Sequence, residues 1–161
     1  MKDARVSSRD EMQGIVQTWQ AEGYTVVFTN GVFDLLHVGH VRYLQEARRL
    51  GDKLIVGINA DTSVKRLKGP LRPINGEADR AEVIASLDCV DGTVVFDEDT
   101  PVELLTCLKP NIHTKGGDYM SADALPETPF VRAYGGNVVI LQLVDGKSTS
   151  LMLQKVQGPT I

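Results

Sequence analysis

The chain has only two cysteines in 161 residues, Cys89 and Cys107, and they form no CxxC pair. The expected state is two buried free thiols in a reducing compartment. His and Cys also lack metal-ligand spacing, which argues against a structural zinc. No serine sits in a GxSxG elbow, so a Ser/His/Asp triad has no support. No apolar run approaches the ~20 residues needed to cross a bilayer, and residues 1–10 lack the apolar core of a signal peptide. The expected location is the cytoplasm, with no membrane partner. An excess of positive charge is also missing: 17 Lys and Arg stand against 21 Asp and Glu, a net charge of −4. That argues against a general nucleic-acid footprint but leaves room for a local basic pocket for a small anion. There is no internal repeat and no low-complexity segment.

What is present is the composition of one soluble domain, 42% hydrophobic and 24% charged, long enough for a sizeable core. Ser8-Arg9-Asp10-Glu11 resembles a capping box opening a helix with Met12, Ile15, Val16 and Trp19 on one face. This helix lies ahead of residue 23, and the core spans 23–157. Thr25-Val26-Val27-Phe28 predicts a buried strand, 38–50 a helix, and 53–59 a second strand. Residues 60–76 are expected to form a long basic loop, with Lys65, Arg66, Lys68 and Arg72 among Gly69, Pro70 and Pro73. A helix over 78–87 and a strand over 92–96 follow. Thr100 caps a helix with Pro101 at its first position, running to about residue 108. A strand over 111–115, a weaker helix over 126–134, a strand over 137–141 and a helix over 148–156 complete the series. Alternating helices and apolar strands predict a doubly wound, Rossmann-like α/β domain, a parallel five-stranded sheet with helices on both faces. Ligands of such sheets bind outside the carboxyl ends of the strands, at the switch point.

The most informative run is Thr29-Asn30-Gly31-Val32-Phe33-Asp34-Leu35-Leu36-His37-Val38-Gly39-His40. Gly31 falls just past the first strand, and His37 and His40 fall where a helix begins. The N–H groups of a helix start lack partners within the helix, and its dipole favours negative charge. Two imidazoles three residues apart share one side of that turn. Strand, glycine turn, helix start and paired imidazoles together make a place to hold phosphate. The basic stretch 60–76 and Lys115-Gly116-Gly117-Asp118 also fall at strand carboxyl ends, so distant segments should meet there.

His37-Val38-Gly39-His40, after Asn30-Gly31-Val32-Phe33-Asp34, resembles the HxGH signature of the nucleotidyltransferase (cytidylyltransferase-like) superfamily. Ser63 through Ile74, Lys115-Gly116-Gly117-Asp118-Tyr119 and Ser148-Thr149-Ser150 resemble segments of the bacterial D-glycero-D-manno-heptose 1-phosphate adenylyltransferases. Lys147 stands where that branch usually has an apolar residue. The resemblance runs from about residue 24 to 156.

It implies a transfer in which a sugar 1-phosphate oxygen attacks the α-phosphorus of ATP and pyrophosphate leaves, giving ADP-heptose. The protein would supply in-line positioning and positive charge. His37 and His40 would donate to the triphosphate, helped by partial protonation near neutral pH. Lys68 is the first choice for a mobile lysine closing over the phosphates, Lys65 the second, and Arg72 a further candidate. Thr29, Asn30, Gly31, Phe33 and Gly39 would form the phosphate-binding turn, and Arg80 would help bind phosphate. Gly117 and Asp118 would hold the adenosine, with Lys115 either a ligand or a strand-end anchor. Ser148 and Thr149 would cap the last helix toward the β- and γ-phosphates. Asp34 is expected mainly to brace the turn, and His113 to be a hydrogen-bonded core histidine. Mg²⁺ bridging phosphates, a separate sugar-phosphate kinase, a free-standing adenylyltransferase domain and a homo-oligomer are further expectations from the resemblance. A cytidylyltransferase acting on glycerol 3-phosphate, and a nucleotide-binding regulatory module without turnover, remain open alternatives.

Overall fold

A computed structural model describes residues 5–117, 121–142 and 148–158. Five parallel strands form one sheet in the order β3-β2-β1-β4-β5: β1 (Val26–Gly31), β2 (Lys53–Asn59), β3 (Gly92–Phe96), β4 (Ile112–Gly116) and β5 (Asn137–Leu141). The order reverses between β1 and β4, which makes that boundary the switch point. β1 pairs with β2 along six residues, Val26↔Lys53 to Gly31↔Ile58. It pairs with β4 only at Val27↔Ile112 and Phe28↔His113. Beyond Phe28 the two strands therefore part, and a crevice opens at their carboxyl ends.

The helices are α1 (Arg9–Ala21), α2 (Val38–Arg49), α3 (Asp61–Lys68), α4 (Glu77–Ala85), α5 (Val102–Leu108), α6 (Thr128–Ala133) and α7 (Thr149–Gln157). Strand side chains alternate between two cores. Val26 and Phe28 of β1 join Met12 and Val16 of α1, Leu104 and Leu105 of α5 and Val131 of α6 on one face. Val27 joins Leu44 and Ala47 of α2 and Ala81 and Ile84 of α4 on the other. The capping box of α1 forms as expected: Glu11 N–H donates to Ser8 Oγ at 3.2 Å, and Ser8 N–H donates to Glu11 at 3.0 Å.

The stretch expected as a long loop is half helix. Ser63 and Val64 are fully buried, anchoring α3 on the C-terminal end of β2, where Asn59 Nδ2 donates to Ser63 Oγ at 3.0 Å. Asp61 starts α3 and Lys65, Arg66 and Lys68 end it, the charge order that a helix dipole favours. Gly69, at φ 98°, stops it, and only 69–76 form a turn. Pro101 occupies the cap position of α5, one residue later than expected, and Thr100 makes no capping bond. Cys89 and Cys107 are half-buried and form no disulfide.

Candidate active site

Residues around the β1/β4 crevice enclose a cleft of about 630 Å³. Its centre is built by the start of α2. His37 is the cap residue, and its Nδ1 accepts the Gly39 N–H at 3.1 Å. His40, in the first turn, accepts the His37 N–H on its own Nδ1 at 3.2 Å. Each imidazole thus gives one ring nitrogen to an orphan helix N–H. In the neutral ring the proton then sits on Nε2, as an N–H donor directed away from the helix backbone. The rings stack with centroids 3.8 Å apart. Burial, and secondly the charge of His37, push the His40 pKa down to about 4. That corrects the expectation of partial protonation near neutral pH for His40, whose ring is neutral there.

Phe33 sets the position of His40. It holds a left-handed backbone at φ 49°, and its ring meets His40 edge-on at 5.3 Å. The same ring lies under Gly31, where a Cβ would come within 2.8 Å of it. Glycine at 31 therefore leaves room for the ring that supports the imidazole. Asn30, Gly31, Phe33 and Gly39 all line the cleft. Thr29 does not: it is fully buried, and its hydroxyl is bonded to Tyr43 at 2.7 Å. The expectation that it offers polar atoms to phosphate is corrected accordingly.

Cations rim the cleft. Lys68, exposed at the end of α3, and Arg72 both line it. Lys65, also exposed on α3, is absent from the lining. Arg72 Nε donates to Asp34 at 2.8 Å. Asp34 also accepts the N–H groups of Ile74 and Asn75, each at 2.9 Å, with its side chain fully buried. Its pKa is lowered: burial opposes ionisation, but these N–H groups and the Arg72 guanidinium outweigh it. Asp34 braces the turn, as expected. Arg80 is a second brace, not a phosphate ligand. It is 2% exposed, outside the cleft lining, and donates to Asn75 O, Val32 O and Asp61 Oδ1 at 2.7–2.9 Å. A guanidinium so committed has little left for a ligand.

On the other side, Lys115 lines the cleft and its Nζ reaches Asn30 Oδ1 at 3.3 Å. Gly116 lines the cleft as well. Gly117, at φ 144°, lies just outside and donates its N–H to Leu141 O at 3.3 Å. Asp118 lies outside the described residues. Ser148 and Thr149 line the cleft at the start of α7. Ser148 Oγ accepts the Leu151 N–H at 3.1 Å, and Thr149 Oγ1 donates to Leu35 O at 3.3 Å. His113 is fully buried and bonded to Glu127 at 3.1 Å, a core histidine as expected.

Among the lining residues that had no signal in any motif are Asn59, Tyr43 and Glu127. Tyr43, on the buried side of α2, has its pKa pushed up to about 12 by burial. No group of three or more His, Cys, Asp or Glu among the described residues is arranged to hold a metal ion. The cleft therefore presents hydrogen-bond donors and three cations, Lys68, Arg72 and Lys115, beside the carboxylates of Asp34, Asp99 and Glu127, across the β1/β4 boundary.

Residues 28–157 match the cytidylyltransferase-like family. The chain is 49% identical over 154 residues to the bifunctional protein HldE of Syntrophotalea carbinolica, covering 96% of this chain and 31% of that protein. It is 50% identical over 159 residues to the HldE of Geotalea uraniireducens, covering 99% of this chain and 32% of that protein. The chain thus spans about a third of the length of these relatives. A crystal structure of the lipopolysaccharide core biosynthesis protein of Thermoplasma volcanium superposes with a TM-score of 0.63 at 33% identity, over 78% of this chain and all of that one. The pantoate-β-alanine ligase of Francisella tularensis shares the fold, with a TM-score of 0.59 at 14% identity over 91% of this chain and 69% of that one. On sequence and on fold, the chain belongs to the cytidylyltransferase-like family.

Proposed function

We propose that this chain is a nucleotidyltransferase that joins ATP and D-glycero-D-manno-heptose 1-phosphate to give ADP-heptose and pyrophosphate. One observation carries the reading. Two stacked imidazoles, each with Nδ1 tied to a helix N–H, offer their Nε2–H groups in a cleft rimmed by Lys68, Arg72 and Lys115. The likeness to a solved lipopolysaccharide core biosynthesis protein supports the sugar branch, and the cytoplasm is where we place the reaction.

The attacking group is an oxygen of the sugar phosphate, already ionised at neutral pH, so no strong general base is needed. A bond forms from that oxygen to the α-phosphorus as the bond to the bridging oxygen of pyrophosphate breaks. What the chain supplies is alignment and donors for the charge that builds on the phosphoryl oxygens. His37 and His40 donate there without giving up a proton. Lys68, on the last turn of α3, neutralises the departing pyrophosphate, with Arg72 beside it. Ser148 and Thr149 present the start of α7 to the terminal phosphates. Mg²⁺ would come with ATP and supply charge neutralisation to its phosphates, since no cluster of His, Cys, Asp and Glu among the described residues is placed to hold the ion by itself. A sugar kinase activity supplies the phosphorylated heptose.

The test is a pyrophosphate-release assay crossing ATP and CTP against both anomers of heptose 1-phosphate, with glycerol 3-phosphate as control. Release with ATP and one anomer is expected. Release only with CTP and glycerol 3-phosphate would reassign the substrates, and nucleotide binding without release would make the chain a non-catalytic module.

A further inference from the structure

β4 sends His113 and Lys115 to the same face of the sheet, since they are two residues apart. Asn30 of β1 follows Phe28 by two and lies on that face as well. The first residue before α6, Glu127, closes over them. Glu127 is 2% exposed, a rare burial for a carboxylate, and it lines the cleft. One of its oxygens is 3.1 Å from His113 Nε2. The other ring nitrogen of His113 is buried without a hydrogen-bond partner among the described residues, so Nε2, at Glu127, is the one anchor of the ring. The nearby cation is Lys115, whose Nζ is hydrogen-bonded to Asn30 at 3.3 Å and faces the cleft.

A buried carboxylate is costly unless it is paired. Here the hydrogen bond from His113 fixes the carboxylate, and the carboxylate in turn attracts the ammonium. The charges act on each other: burial raises the Glu127 pKa, but the His113 bond and the Lys115 charge help to bring it below its ordinary value. Burial lowers the Lys115 pKa, and Glu127 opposes that fall.

We propose that Glu127, braced by His113, is a positioning residue that keeps the Lys115 ammonium toward the nucleotide phosphates on the β4 side of the cleft. This rests on the reading of the cleft as an ATP site. Its consequence is specific: Glu127 acts on nucleotide binding through Lys115 and not otherwise. Lys115 contacts ATP before and during transfer alike, so its loss weakens binding and leaves the chemical step nearly intact.

The experiment is a double-mutant cycle on the full chain, with Glu127→Gln and Lys115→Met, read by calorimetric titration with a non-hydrolysable ATP analogue and by pyrophosphate release. Glu127→Gln should weaken binding about tenfold and raise KM for ATP alike, with kcat within about threefold of wild type. Lys115→Met should weaken binding at least as much, and adding Glu127→Gln to it should cost no further affinity. Glu127→Asp, which keeps the charge, should recover most of the affinity. Should Glu127→Gln not fold, His113→Asn, which removes the brace on Glu127, takes its place in the cycle, and the same lack of additivity with Lys115→Met is expected. Equal losses from Glu127→Gln in the wild-type and Lys115→Met backgrounds would overturn the proposal. So would a fall in melting temperature and kcat with unchanged affinity, the signature of a purely structural glutamate. Failure of the wild-type chain to bind the analogue would instead sink the ATP reading itself, and this inference with it.

Discussion

The backbone sets which ring nitrogen of each paired imidazole faces the cleft, and burial keeps His40 neutral. A His40 pKa of about 4 lies below the ordinary histidine value of 6.5. As pH falls through that window the unfolded chain takes up a proton and the folded one does not, so stability is full above about 6.5 and declines toward 4. The loss is on the order of 2 kcal/mol, allowing for solvent at a half-buried site. Asp34 and Glu127 also have lowered values, but their stabilisation is lost only below the ordinary carboxylate range, so the two windows separate. Urea midpoints at about pH 7 and about pH 5 check this: wild type should lose stability between them, and His40→Ala should lose much less. The lysines give a second prediction. Lys68 lines the cleft and Lys65 does not, so Lys68→Ala should lower kcat about 10²-fold while weakening ATP binding less. Lys65→Ala should leave both near wild type in the pyrophosphate assay.

The elements explain why some residues could be read from sequence and others could not. The Thr29–His40 run was legible because a strand, a glycine and a helix start leave few ways to arrange its side chains. Arg80 was misassigned for a physical reason: a guanidinium serves a phosphate or a set of carbonyls equally well. Only the fold shows that Asn75, Val32 and Asp61 already occupy it. Likewise α3 was hidden among Gly, Pro and charged residues, because what makes it a helix is the burial of Ser63 and Val64 against distant strands. Glu127 carries no motif at all, since its partners lie 12 and 14 residues earlier in the chain. The 69–76 turn hangs on Asp34, whose carboxylate takes two backbone N–H groups and Arg72. Asp34→Asn keeps the shape but sets an amide against three donors. It should cost about 3 kcal/mol in urea denaturation and lower kcat as Lys68 and Arg72 lose their fixed support.

At the scale of the molecule, three distant segments converge on the cleft and two of them bring cations, although the whole chain carries a net charge of −4. Lys68 and Arg72 come from beyond β2, Lys115 from the end of β4, and α7 from the far end of the fold. The strand order places all of them around the β1/β4 boundary; the parallel, doubly wound sheet was legible from the alternation of strands and helices, but its order was not, because pairing between distant strands leaves no local mark. The overall field repels an anion, so attraction must come from these few groups at short range. A ligand that spans them ties together segments that otherwise meet only through the sheet, and it stabilises the fold by mass action. At about 100 times its dissociation constant, that gain is roughly 2.7 kcal/mol, or about 5–10 °C in melting temperature for a domain of this size. Because the cations reach along the phosphate chain, the rise at equal concentration should follow ATP > ADP > AMP and shrink as salt is added. A thermal-shift series in the three nucleotides checks this. An equal rise with AMP would mean that the base and ribose carry the binding, and that the cations around the imidazole pair do not grip the polyphosphate.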